Sequence, residues 1–154
     1  MPESAKENLM VEVRFSIEKD AEGYPTSRDF ECLLCKPSDP ECSKCVIASV
    51  PFYLRNVAYG DTISTKDDPS GLLEFAEVTE RGGYSIYRLF LHDVGKKDEA
   101  IRKLLDLDTL IEQDGKLIAI AVSSTGEVDR VVEYILMGKE KGFWGAQDGY
   151  VYEP

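Results

Sequence analysis

One histidine stands in 154 residues, and tryptophan is equally scarce. A single histidine excludes a histidine metal cluster. That residue, His92, sits at the end of a predicted strand and precedes Asp93. No serine or cysteine elbow lies near it, so a Ser-His-Asp arrangement has no support. There is no P-loop and no G-x-G-x-x-G; Gly142-Phe143-Trp144-Gly145-Ala146 follows a predicted helix instead of opening one. Asp106-x-Asp108 lacks the glycine and closing glutamate of a calcium-binding EF-hand loop. No run approaches the roughly 18 apolar residues of a membrane span. The opening MPESAKENLM is polar and acidic, without the apolar core of a signal peptide. The expected location is therefore cytoplasmic, in a reducing compartment, away from membranes.

Basic charge is short as well. Lys and Arg number 18 against 29 Asp and Glu, a formal net charge of −11. The basic residues are dispersed, the nearest thing to a patch being Lys96-Lys97 with Arg102-Lys103. Phosphate backbones are bound by clustered Lys and Arg, so nucleic acid is excluded as a partner. An acidic surface instead favours solubility, or steers a basic protein partner.

An apolar content of 43% in this length fits one α+β domain over residues 9–154, after a disordered leader at 1–8. Val11 to Glu18 alternates strictly and predicts a strand with Val11, Val13, Phe15 and Ile17 inward. Further strands are expected over 29–36, 44–50 and 62–65. Leu72–Thr79 and Tyr84–His92 read as a hairpin joined through Glu80-Arg81-Gly82-Gly83. The second arm, apolar on both faces, reads as a central strand. Lys96–Leu107 predicts a helix, Leu117–Val122 a strand covered on both sides, and Asp106–Asp114 an acidic loop. Ser124 and Glu127 form a capping-box pattern ahead of an amphipathic helix using Val128, Val131, Val132, Ile135 and Leu136. Gly138 and Gly142 are its candidate stops, and Tyr150–Tyr152 a final edge strand. The expected architecture is a mostly antiparallel or small barrel-like N-terminal half, followed by a β-α-β-α half packed on the sheet.

The local pattern furthest from chance is Cys32, Cys35, Cys42 and Cys45, in CLLC-KPSDPE-CSKC. Two C-x-x-C pairs can supply the thiolates of a structural Zn²⁺ site. They also read as free cytosolic thiols. Residues three apart on a strand point to opposite faces, so one metal reaches all four only if a C-x-x-C folds back as a knuckle. Cys42-Ser43-Lys44-Cys45 has the polar middle to do so; Cys32-Leu33-Leu34-Cys35 reads as core-facing strand. Four thiolates leave no open position for catalysis, so a zinc here would be structural.

Three segments resemble a known family. They are VEVRFSIEKDAEGYP from Val11, Glu31 to Pro37, and Pro51-Phe52-Tyr53-Leu54-Arg55-Asn56-Val57-Ala58-Tyr59-Gly60-Asp61. With the E-R-G-G-Y-S stretch at Glu80–Ser85, they are similar to an uncharacterised group of small bacterial proteins, domain of unknown function 4265. The resemblance covers about residues 9–95 most closely and implies no catalytic residue. The cysteine quartet is not among its shared motifs.

Two functional expectations follow. One is a non-catalytic cytosolic binding protein, most concretely an immunity-type inhibitor of a bacterial toxin. It would use Asp106 and Asp108 or the aromatic stretch around Trp144. The alternative is a small enzyme or ligand-binding domain with a pocket lined by Arg55, Tyr59, Arg88 and His92.

Overall fold

Alternating inward and outward side chains curl the first five strands into a closed barrel. The computed structural model describes residues 9–23 and 26–154; the expected leader at 1–8 lies outside the described residues. The strands are β1 (Val11–Ser16), β2 (Phe30–Pro37), β3 (Lys44–Ile47), β4 (Thr62–Asp67) and β5 (Leu73–Glu80). Neighbours are antiparallel except β1 and β5, whose parallel pairing through Val13 and Leu73 closes the ring. Val13, Phe15, Leu33, Cys35, Cys45, Ile47 and Ile63 fill the interior, as the period of two requires. Closure leaves none of these strands with a free edge.

The second layer is a four-stranded sheet of order β7-β8-β6-β9. It comprises β6 (Tyr84–Leu91), β7 (Leu110–Asp114), β8 (Leu117–Ser123) and β9 (Trp144–Asp148). Helices α1 (Lys97–Asp106) and α2 (Val128–Glu140) cover one face. Odd-numbered residues of β6 and even-numbered residues of β8 meet the helices: Tyr87, Leu89 and Leu91 with Ile118, Ile120 and Val122. The opposite face turns to the barrel, where Ile86, Ala119 and Ala121 pack against Val50 and Ala58. Alanines on that side let main chain approach the sheet closely. The chain is thus an α+β arrangement, with β6 central as its two apolar faces predict.

Several local expectations are corrected. Strands β5 and β6 form no hairpin: β5 pairs with β4 and β1, whereas β6 pairs with β8 and β9. The Gly82-Gly83 link carries the chain from one sheet to the other. Gly82 lies so close to Gly60 that a Cβ there would stand 2.3 Å from the Gly60 carbonyl oxygen. Nor does Ser124 cap α2, because Gly126 N–H donates to Ser123 O and closes a turn first; the helix then starts from Glu127 without a side-chain cap. The 106–114 segment is a loop only at its start, ending as the strand β7. Strand β9 ends at Asp148, and 150–152 continue beside β6 without forming a strand. Among the described residues no helix is long and apolar enough to cross a membrane.

Gly138 does not stop α2; it lies within the helix, buried against Trp144. That indole is 1% exposed, donates Nε1–H to Ile135 O at 2.9 Å, and packs against Tyr134 and Phe143. A Cβ at Gly138 would stand 2.0 Å from Trp144 Cζ2. Alanine favours a helix over glycine by about 1 kcal/mol, but forcing a methyl into a filled core costs about 1–3 kcal/mol. At 2.0 Å the clash wins. Gly138→Ala is expected to lower unfolding free energy in urea titrations; an unchanged or raised midpoint contradicts this packing.

Candidate functional site

Between Ile47 and Asp61 the chain leaves the barrel and returns to the same point. Gly60 N–H donates to Ile47 O, and Ile47 N–H to Asp61 O, both at 2.9 Å. A compact loop with closed ends results. Leu54 and Val57 plug the barrel, while Val50 and Ala58 rest on the sheet. Five charged side chains hold its main chain, Arg81 among them through Nη1–H donated to Asn56 O at 2.9 Å. Glu31 of β2 accepts from Phe52 N–H at 2.7 Å and Tyr53 N–H at 3.0 Å. Glu112 of β7 accepts from Val50 N–H. Asp61 accepts from Ala58 N–H, Gly82 N–H and the Arg81 guanidinium at 2.8–3.0 Å. Arg88 of β6 donates Nε–H to Pro51 O at 3.3 Å and Nη2–H to Leu54 O.

Beside this joint a cavity of about 490 Å³ opens between the loop and the sheet. Along β6, Arg88, Phe90 and the following His92 share the barrel-side face and line it in that order, from buried to exposed. Strand β9 adds Gly145 and Gln147, brought there by the pairs Phe90↔Gly145 and Arg88↔Gln147. Phe52 and Tyr53 form the loop side, and the β7–β8 turn contributes Asp114, Lys116 and Leu117. Gly145 adjoins the His92 ring, where a Cβ would come into ordinary contact at 3.7 Å from Nε2 and a larger side chain would enter the cavity.

Arg88 is 2% exposed, and its Nη1 has no hydrogen-bond partner among the described residues. Burial pulls its pKa down to about 10, against the pull of the Glu31 charge and with the push of Arg55. It therefore stays charged at neutral pH. Burial raises the Glu31 carboxyl, opposed by the N–H donors of Phe52 and Tyr53 and by Arg88.

Of the residues expected to form a pocket, Arg88 and His92 do line this one. Arg55 lies instead at a small depression with Glu18, Lys19 and Asp20, and Tyr59 packs edge-on against Tyr84 at 5.0 Å. Asp106 and Asp108 are exposed at the turn after α1, where Asp108 adopts a left-handed φ of 61°. Trp144 is core. Sequence reasoning missed Phe52, Tyr53, Lys116 and Gln147. Only the alternation of β6 carried a signal, because it already puts Arg88 and Phe90 on one face. The His92 ring makes no hydrogen bond or ion pair among the described residues, so no nucleophile–base pair is assembled around it.

The cysteines separate by face. Cys35 and Cys45 are buried in the barrel, Cys42 is half-buried at a φ of 59°, and Cys32 is exposed. The register sets Cys35 opposite Ile47 and Cys45 opposite Pro37. Among the described residues no group of three or more His, Cys, Asp or Glu is placed to hold a metal ion. A four-thiolate zinc site would need Cys32–Cys35 to leave its strand. Burial pushes the Cys35 thiol up to about 12 and Cys45 up to about 11.

The model of a family described as "Domain of unknown function (DUF4265)" matches residues 38–146. No curated protein matches the sequence. A solved structure of a hypothetical protein from Neisseria gonorrhoeae is similar, with a TM-score of 0.77 at 13% identity, over 96% of this chain and 99% of that one. At that identity the likeness is one of fold.

Two predictions arise from this geometry. A carboxyl with a raised folded pKa favours the fold fully below its ordinary value of about 4.3, and that contribution is lost as pH rises through the folded value. Glu31→Gln removes this loss. Its melting temperature relative to the unsubstituted protein should therefore rise as pH rises above about 4.3; a pH-independent difference contradicts the shift. In thiol alkylation of the native protein Cys32 should react first, and Cys35 and Cys45 only on unfolding. Protection of Cys32 that a chelator removes would show the zinc site instead.

Proposed function

The chain belongs to the bacterial family described as domain of unknown function 4265, and we propose that it is a non-catalytic cytosolic binding protein that takes a small organic molecule into the cavity between barrel and sheet. The supporting observation is the cavity itself. Its volume of about 490 Å³ falls within the roughly 300–1,000 Å³ of small-molecule sites. Its wall combines Phe52, Tyr53, Phe90 and Leu117 with a few polar groups. Such walls draw affinity from the apolar area and orientation from the polar groups. Arg88 is held by two main-chain carbonyls, and Glu31 holds the main chain of Phe52 and Tyr53, so that end of the site is pre-formed.

A second reading is protein binding, as in an immunity-type inhibitor of a toxin. It draws on the turn after α1, where Leu105 and Leu110, 52% and 40% exposed, flank the exposed Asp106 and Asp108. An apolar patch rimmed by acid suits a basic partner.

Isotope-edited NMR with a library of small organic fragments separates the two. The cavity reading expects fragments to shift the amides of Tyr53, Phe90, His92 and Gly145, and Gly145→Leu to abolish those shifts. A silent cavity, with shifts at 105–110 on adding a basic protein, overturns it in favour of the second reading.

A further inference from the structure

We infer that the ligand of this cavity is a small organic carboxylate, its charge toward Arg88 and its apolar body against Phe52, Tyr53 and Phe90. The inference rests on the cavity reading above and adds the chemical class. Three observations carry it.

The first is local charge. In a chain of net −11, the cavity wall presents Arg88 and Lys116 against a single carboxylate, Asp114. The sign of the surface is reversed where the cavity opens. A low-dielectric wall strengthens that field relative to the same charges in water.

The second is the state of Arg88. Buried charges are normally paired, because an isolated one forfeits its hydration. Arg88 instead spends Nε and Nη2 on two neutral main-chain carbonyls and leaves Nη1 unpartnered. Glu31, the carboxylate whose charge acts on it, has one oxygen committed to Phe52 N–H and the other to Tyr53 N–H. Among the described residues Arg88 has no ion pair. A ligand carboxylate supplies the missing counter-charge and an acceptor for Nη1–H, in the charge-assisted contact that guanidinium groups make best.

The third is the rest of the wall. None of the lining residues belongs to a helix, so no helix N-terminus is available to cradle a phosphate. The aromatic and aliphatic side chains call for an apolar body of matching size. Together with one buried guanidinium and a lysine, they describe an aromatic or aliphatic acid more closely than a nucleotide or a bare anion.

The test is isothermal titration of the full chain with three probes of equal body: 2-naphthoate, 2-naphthamide and 2-naphthyl phosphate. The expected result is naphthoate binding about tenfold or more tighter than the amide, the scale of one charge-assisted hydrogen bond. Lys116→Gln, at an exposed position, should narrow that preference, as should added salt. Arg88→Met should erase it, provided its far-ultraviolet dichroism matches the unsubstituted protein; the exposed Lys116 substitution keeps the test decisive if it does not fold. Equal affinity for acid and amide overturns the carboxylate class and leaves the cavity reading standing. Tighter binding of the phosphate overturns it in favour of a phosphorylated ligand. Binding of none of the three overturns both readings.

Discussion

The structure depends on how the loop between Ile47 and Asp61 is held. Its main chain would be left unsatisfied at the contact of two layers, and a buried unpaired N–H or C=O costs about 1–3 kcal/mol. Glu31, Asp61, Arg88 and Glu112 each meet part of that demand. They come from the barrel, from the loop itself and from two strands of the sheet. The same bonds that satisfy the loop therefore fix the barrel against the sheet. Gly82 tightens the joint, because only a residue without a side chain tolerates main chain at that distance from Gly60.

The cavity is a consequence of that joint. Ile86, Ala119 and Ala121 bring sheet and loop together at one end, and the layers separate beyond Arg88. Phe90, 53% exposed, and His92 then project from a strand whose other face is buried under helices. Arg88 stands where contact gives way to opening, which is why it serves the loop carbonyls and the cavity wall together.

Much of the fold was legible in the sequence because periodicity reports burial. The alternation of Val11 to Ile17, the double-sided β6, the apolar run of β8 and, at Val131 and Ile135, the stripe of α2 appear where the pattern puts them. The failures share a cause. Glu80-Arg81-Gly82-Gly83 has the composition of a hairpin turn, but Asp61 clamps Gly82 from elsewhere in the chain and the strands part. Gly138 looks like a helix stop until Trp144 is seen against it. Leu136 fits the apolar stripe of α2 but faces outward, because the helix presents a narrower seam than its pattern allows. The candidate site was legible only in part. Arg88 is a charged residue within a largely apolar strand and the single histidine follows that strand directly, whereas Gln147 and Lys116 reach the cavity through pairings that no local pattern encodes.

The absence of known nucleotide and calcium-binding motifs, and the lack of any basic cluster, were read from residue types and spacings alone. So was the division into strands first and helices later, since burial of one face imprints a period of 2.0 or 3.6 on any chain. The cysteine quartet sits at the limit of that kind of reading, for spacing names four thiols, but the strands decide which way Cys32, Cys35 and Cys45 face and Cys42 lies in the turn between them. Only tertiary structure could close the barrel, part β5 from β6, and set a buried guanidinium beside an open cavity. Each depends on contacts between residues far apart in sequence, where packing and the satisfaction of buried polar groups decide what local propensity leaves open.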